Sequence, residues 1–397
     1  MTTDDLAMPL ALHPLTYLDE GAEVTVGRAD IDSYAVLPAD GAALLRELER
    51  GVAPAQAAAW YEQRYGQQVD MDDFVAVLVE LDFLSDGTTA AAAGPVRWQR
   101  LGRALFSRPA WVLYAALLTA AAAAMVRRPE LAPHYRNLFF TEYVTVLELV
   151  LFLGQFPLLL IHESFHALAG RRLGLRSRLG IGRRLYFVVL ETSMDGLVAV
   201  PRRQRYLPML AGMLADLLVI AVLTLTAALL RDPAGGYPLA ARICLTLAFG
   251  TALRFTWQFY LYLRTDLYYV VVTVLGCVDL HGTARQLVLN RLHRLRRRPD
   301  RVVDETTFHP RDRAVARWYQ WLFTGGYAVS IAILALAVVP TTLRILHTVF
   351  GRLTGATAAG AAGLADSMLF IVLNGGQFIL LCWLIRRGRR ANSRERT

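Results

Sequence analysis

The chain contains no lysine: all 42 of its basic residues are arginine. With the abundance of alanine, this points to the codon bias of a GC-rich bacterial genome. Cysteine is scarce too, with Cys244, Cys277 and Cys382 the only three in 397 residues. Their spacing offers neither a CxxC pair nor a disulfide framework, and all three fall in or beside apolar runs, so they read as small apolar packers. No cleavable signal peptide opens the chain, because the first 90 residues are acidic and foldable.

What fills the chain instead is apolar. Hydrophobic residues make up 55% and the mean hydropathy is +0.36, where soluble domains hold about 45–50%. Stretches of about 20 residues with few charges occur at Ala110–Val126, Tyr143–Ala169, Leu207–Leu230, Leu239–Leu263, Trp318–Val339 and Leu364–Ile385. They predict a polytopic α-helical membrane protein of about six spans. Arginines gather at alternate ends of these stretches: Arg100, Arg103 and Arg108 before the first, Arg171, Arg172, Arg176 and Arg178 after the second, Arg202, Arg203 and Arg205 before the third, and Arg386, Arg387, Arg389 and Arg390 after the sixth. The segment 283–317 adds "RLHRLRRRPDR". The positive-inside rule then puts both termini in the cytoplasm of a bacterial cell, with 283–317 a basic surface on anionic headgroups or a second peptide-docking surface. His281, His293 and His309 in this region are expected to be solvated.

The net charge of +9 hides an asymmetry, since residues 1–94 hold 17 acidic and only 4 basic side chains. Two modules with different surroundings are implied. A nucleic-acid role is excluded for the first module by its negative charge and disfavoured for the rest, whose arginines sit at the ends of apolar stretches.

Within the acidic module, "PLTYL", "EVTVG" and "SYAVL" alternate as short strands. The period then changes. "ADGAALLRELERG" puts Leu44, Leu45 and Leu48 on one helical face, "APAQAAAWYEQRYG" begins near Pro54 and closes at Gly66, and "DMDDFVAVLVELDFL" has Asp70 as N-cap with a stripe of Phe74, Val77, Leu78 and Leu81. Three strands and three helices make a small α+β domain of winged-helix type over residues 1–86. It is joined by a linker, 87–108, rich in small residues at "SDGTTAAAAGP", to a core over 109–390. The stretch "LPADGAALLRELERGVAPAQAAAWYEQRYG…FVAVLVELDFL" resembles the PqqD-like family of peptide-recognition domains. That resemblance implies capture of the leader segment of a ribosomally made precursor peptide, added as a strand beside the third strand and packed on the third helix. The groove would run between Asp32–Leu37 and Asp72–Leu84, with Tyr34, Val36, Phe74 and Val77 as its candidate contacts. A winged-helix-like module of unrelated role is the alternative.

In "LLLIHESFHALAG", residues 158–170, the pattern His-Glu-x-x-His sits inside an apolar stretch. On a helix, His162 and His166 share a face one turn apart and can turn two imidazoles to one Zn²⁺, with Glu163 beside them to act on a water. Each ionisable residue in a span costs about 2.5–3.5 kcal/mol on insertion scales, so three of them together call for a use. A catalytic zinc needs a third protein ligand and an open position. Asp195 on a hairpin after the second stretch, Asp216 within the third and Asp266 near the end of the fourth compete. Matching depth in the membrane favours Asp266, with Asp195 the alternative ligand.

Residues 143–280 resemble the site-2 protease family of intramembrane zinc metalloproteases, and "RTDLYYVVVTVLGCVDLHG" resembles its peptide zinc metalloprotease branch. The resemblance implies His162, His166 and Asp266 as zinc ligands and Glu163 as general base. "AGMLAD" is similar to the family's Gly-Pro-x-x-Asn segment, with Met213 for Pro and Asp216 for Asn, and Thr265-Asp266-Leu267 replaces its usual Leu-Asp-Gly. "RRLYFVVLETSMDGLVAV" then reads as a hairpin clamping an extended substrate or simply shielding the site. Arg254 is expected to pair with Glu148 or to snorkel. Taken together, an intramembrane protease that matures a precursor peptide is expected, alongside a modifying enzyme or exporter. A protease releasing a membrane-anchored regulator and a non-proteolytic peptide transport or immunity protein are the alternatives.

Overall fold

The computed structural model describes residues 8–394 apart from 22, 29, 32, 86–95, 142, 185–186 and 356–359. Residues 87–95 of the segment expected to be a linker, 87–108, therefore lie outside the described residues. The chain divides into two compact units, residues 1–112 with 162–212 and residues 113–161 with 213–397.

The first unit opens with strands β1 (Thr16–Asp19), β2 (Glu23–Arg28) and β3 (Ser33–Pro38), antiparallel in that order. Helices α1 (Ala39–Glu49), α2 (Pro54–Tyr65) and α3 (Met71–Glu80) follow. Alternation along β2 sends Val24 and Val26 to the helices, in register with Leu37 and Ala35 of β3. Leu44, Leu45 and Leu48 of α1 are fully buried against them. Pro54 starts α2, Gly66 ends it in the left-handed region at φ +70°, and the Asp70 carboxylate accepts the Asp73 N–H to cap α3. Met71, Val75 and Leu78 are the buried residues of α3; of the rest of the expected stripe, Phe74 and Leu81 are partly buried against the same core and Val77 is exposed. The run "FVAVLV" is apolar almost all round, so periodicity alone leaves the phase open and packing on the sheet sets it.

Helix α4 (Gln99–Leu105) occupies part of the expected linker, and Gly102 lets it lie directly on the Leu168 backbone of the helix α6 described next. α5 (Arg108–Arg127) and α6 (Val144–Arg172) are the first two long apolar helices. A two-stranded hairpin follows, β4 (Arg176–Arg184) with β5 (Phe187–Asp195), in register from Arg176↔Asp195 to Arg184↔Phe187. It is longer than the sequence reading, taking in "RSRLGIG" as a full partner strand. Beyond a short turn at Leu197–Ala199 begins α7 (Arg202–Leu229).

The acidic domain is docked within this unit. Glu20, between β1 and β2, accepts hydrogen bonds from Arg202 Nε and Arg205 Nη2, each at 3.0 Å. The Tyr34 hydroxyl lies against Gly196, where φ is +79° and an added Cβ would stand 2.9 Å from it. Thr25, on the sheet face away from the helices, is 5% exposed. The pairs are partly buried, and an arginine at position 20 would set a third guanidinium beside Arg202 and Arg205. Glu20→Arg is therefore expected to speed amide exchange in β2 and at 196–200, and adding Arg205→Glu should slow it again. Unchanged exchange in Glu20→Arg would show that the pair does not hold the domain.

The second unit carries α8 (Leu239–Trp257), α9 (Asp266–Leu275), α10 (Leu280–Leu295), α11 (Pro310–Ile333), α12 (Val339–Leu353) and α13 (Ala361–Arg394). Five helices are long and apolar enough to cross a membrane, and six if the bent pair α9–α10 counts as one. The five match the first five apolar stretches, and the sixth falls within α13. α9 and α10 meet at 89°, and Asp312 holds the bend by accepting the N–H groups of Val278 and Asp279. The basic segment 283–317 is thus more than a surface. Leu280, Ala284 and Leu287 of α10 pack with Tyr268, Ala316 and Tyr319 in one core. His281 is half-buried with its ring edge-on to Tyr268 and Phe323, and ring nitrogens of His281, His293 and His309 are shielded, contrary to the solvated state expected.

Candidate metal centre

His162, Glu163 and His166 lie within one turn of α6 and are 3%, 6% and 5% exposed. The helical repeat sets both imidazoles on one face, with their Nε2 atoms 3.2 Å apart. The His166 Nδ1 lies 2.7 Å from the Pro208 carbonyl of α7. A carbonyl can only accept, so Nδ1 carries the proton and Nε2 is left with its lone pair. Gly212, one turn further along α7, is where the rings meet the neighbouring backbone. Any Cβ there would overlap the Nε2 atoms of both histidines.

Asp266 belongs to the same group. One ligating atom from each of His162, His166 and Asp266 lies within 4.8 Å of the others, and no other such group occurs among the described residues. The aspartate does not end the fourth apolar helix, as its sequence position suggested. α8 stops at Trp257 and Asp266 is the first residue of α9. Gln258 makes the break: its backbone carbonyl accepts the Thr265 hydroxyl at 2.6 Å and its side-chain oxygen accepts the Asp266 N–H at 3.1 Å. Arg264 turns the chain with φ +56°. A carboxylate at a helix N-terminus is also where the helix dipole favours it.

Two imidazoles and one carboxylate are the donor set of a catalytic zinc site. Two nitrogens 3.2 Å apart suit tetrahedral ligation at about 2.0–2.1 Å. The residues fit the metal.

The rival carboxylates have other work. Asp195 ends β5 and pairs with Arg178 Nε at 3.4 Å. Asp216 is fully buried and accepts from Arg254 Nη2 at 2.6 Å and Nε at 3.1 Å. Arg254 therefore does not pair with Glu148, whose carboxylate accepts from Asn374 at 3.0 Å. The cause is helix packing: Gly154 and Gly250 let α6 and α8 approach closely, and Arg254 is spent on the polar groups beside it.

One contact had no sequence signal. The Thr192 hydroxyl on β5 donates to Glu163 Oε2 at 2.7 Å, tying the hairpin to the carboxylate. Of the expected peptide contacts, Tyr34 and Val36 share the sheet face opposite the helices, while Phe74 is half-buried and Val77 exposed on α3. Among the described residues β3 pairs with β2 alone, which leaves it an edge strand.

Comparison of the chain with protein-family models, with curated proteins and with solved structures finds no match.

Proposed function

We propose that the protein is a zinc metalloprotease of a bacterial cytoplasmic membrane, similar to the site-2 protease family, with both termini in the cytoplasm. The observation that carries this reading is the convergence of His162, His166 and Asp266 beside a buried glutamate on the same helix. In this reading the apolar helices span the bilayer and the winged-helix-like domain lies in the cytosol. The precursor peptide adds as a strand to the edge of β3 by its leader, its side chains alternating between the Tyr34–Val36 face and the α3 side bearing Phe74 and Val77.

A bound Zn²⁺ supplies Lewis acidity, polarising a peptide carbonyl and lowering the pKa of a water towards about 7. The chain's own residues do the rest. Glu163, its carboxylate oriented by Thr192, takes the proton of the attacking water and returns it to the leaving amine. His166 is held in the metal-binding tautomer by the Pro208 carbonyl. The docked recognition domain brings the peptide to the hairpin without a search through solution.

Co-expression with a tagged precursor peptide that carries a leader segment tests the proposal. Mass spectrometry should find a truncated peptide with the wild type and intact peptide with Glu163→Gln. Equal truncation in both would exclude this site as the protease.

A further inference from the structure

The α6–α7 contact is built as a series of rungs. On α6, Gln155, Leu158, His162 and His166 follow one another at spacings of three and four and share a face. On α7, Pro208, Gly212 and Asp216 do the same in the opposite sense. His166 meets the Pro208 carbonyl, both imidazoles meet Gly212, and the third rung is polar. There Arg254 of α8 reaches in. It donates to Asp216 Oδ1 twice, to Gln155 Oε1 at 3.1 Å and to the Leu158 carbonyl at 3.4 Å. Gln155 in turn donates to the Leu247 carbonyl at 2.8 Å. Leu158 is one helical turn before His162, and Asp216 is one turn after Gly212.

An arginine and an aspartate in an apolar segment are costly wherever they stand, and neither is part of the metal-binding group. Their guanidinium fork grips both helices next to the histidines. The rigid planar fork can hold three acceptors at fixed angles, which a lysine's single ammonium cannot.

We propose that Arg254 and Asp216 are positioning residues for the metal site: the pair fixes the α6 turn before His162 against the α7 turn after Gly212, and so sets the separation and tilt of the two imidazoles. This rests on the reading of His162 and His166 as metal ligands. The pair takes no part in proton transfer and touches neither substrate nor metal. It acts through the helices, as residues outside the coordination sphere do when they orient ligands.

The test uses the metals alone, on the full chain in detergent. Zn²⁺ dissociation constants are measured by competition with a chromophoric chelator, and the Co²⁺ form is read by its visible absorption. Three variants separate positioning from bulk stability. Arg254→Lys keeps the charge pair but not the fork. Arg254→Gln and Asp216→Asn, combined, remove both charges and leave no lone ion buried. Asp216→Asn alone leaves Arg254 without its counter-ion. The expected result is a Zn²⁺ affinity weakened roughly 10–100-fold in Arg254→Lys and in the double variant, with a shifted Co²⁺ spectrum, while both melt near the wild type. If Asp216→Asn alone melts early and the double variant recovers stability without recovering affinity, positioning is separated from folding. A stable double variant with wild-type affinity and an unchanged Co²⁺ spectrum overturns the proposal alone. A wild type that takes up neither metal overturns the metal-site reading and the proposal with it.

Discussion

Glu163→Gln is expected to abolish peptide cleavage while leaving metal content unchanged. General acid–base catalysis contributes typically 10²–10⁴-fold, and glutamine keeps the shape of the side chain but cannot accept a proton at neutral pH. The Thr192 hydroxyl, 2.7 Å from the Glu163 carboxylate, can still donate to the glutamine oxygen, so the hairpin stays attached. The two imidazoles keep their places because neither depends on Glu163 among the contacts described for them. Cleavage rate and zinc content measured on one preparation decide the matter. Loss of rate with full zinc assigns the proton transfer to Glu163. Loss of both would mean that the glutamate supports the site rather than acting in it.

Gly212→Ala is expected to remove the metal altogether, although it adds one methyl group to a residue that ligates nothing. The new Cβ would overlap both Nε2 atoms, the atoms left with lone pairs when Nδ1 holds the proton. Neither ring can give way, since His166 is held at Nδ1 by the Pro208 carbonyl and both rings are buried. Overpacking a tight contact costs typically 1–3 kcal/mol, and here the strain falls on the donor atoms themselves. Zinc content should drop to background, whereas Gly325→Ala, with nothing within 4 Å of its added Cβ, should retain it. A Gly212→Ala variant with full zinc would place the metal away from these two nitrogens.

The features written in local sequence were legible. The three strands, the helix ends at Pro54 and Gly66, and the Asp70 cap depend on neighbours within a few residues, and the chain folds there as its pattern dictates. His162, Glu163 and His166 were legible for the same reason, because their spacing alone sets them on a shared helical face. What sequence could not supply were partners chosen by packing between distant segments. Thr192 looks like any strand threonine until the hairpin folds onto α6. Arg254 was free on paper to meet Glu148 or to snorkel, and the close approach allowed by Gly154 and Gly250 set it against Asp216 instead. The start of α9 at Asp266 was hidden because a glutamine side chain ends the preceding turn, where periodicity shows only continuing apolar residues. Docking of the acidic domain was invisible too, since Glu20 and its arginines are about 180 residues apart.

The central claim is that His162, His166 and Asp266 hold one zinc ion. Metal content per chain, measured on the purified protein in detergent, tests it most directly when wild type is compared with His162→Ala, Asp266→Ala and Asp195→Ala. The account predicts close to one equivalent in the wild type and in Asp195→Ala, whose aspartate is engaged with Arg178, and loss of metal in His162→Ala and Asp266→Ala. Metal retained by Asp266→Ala and lost by Asp195→Ala would contradict it and move the third ligand to the hairpin.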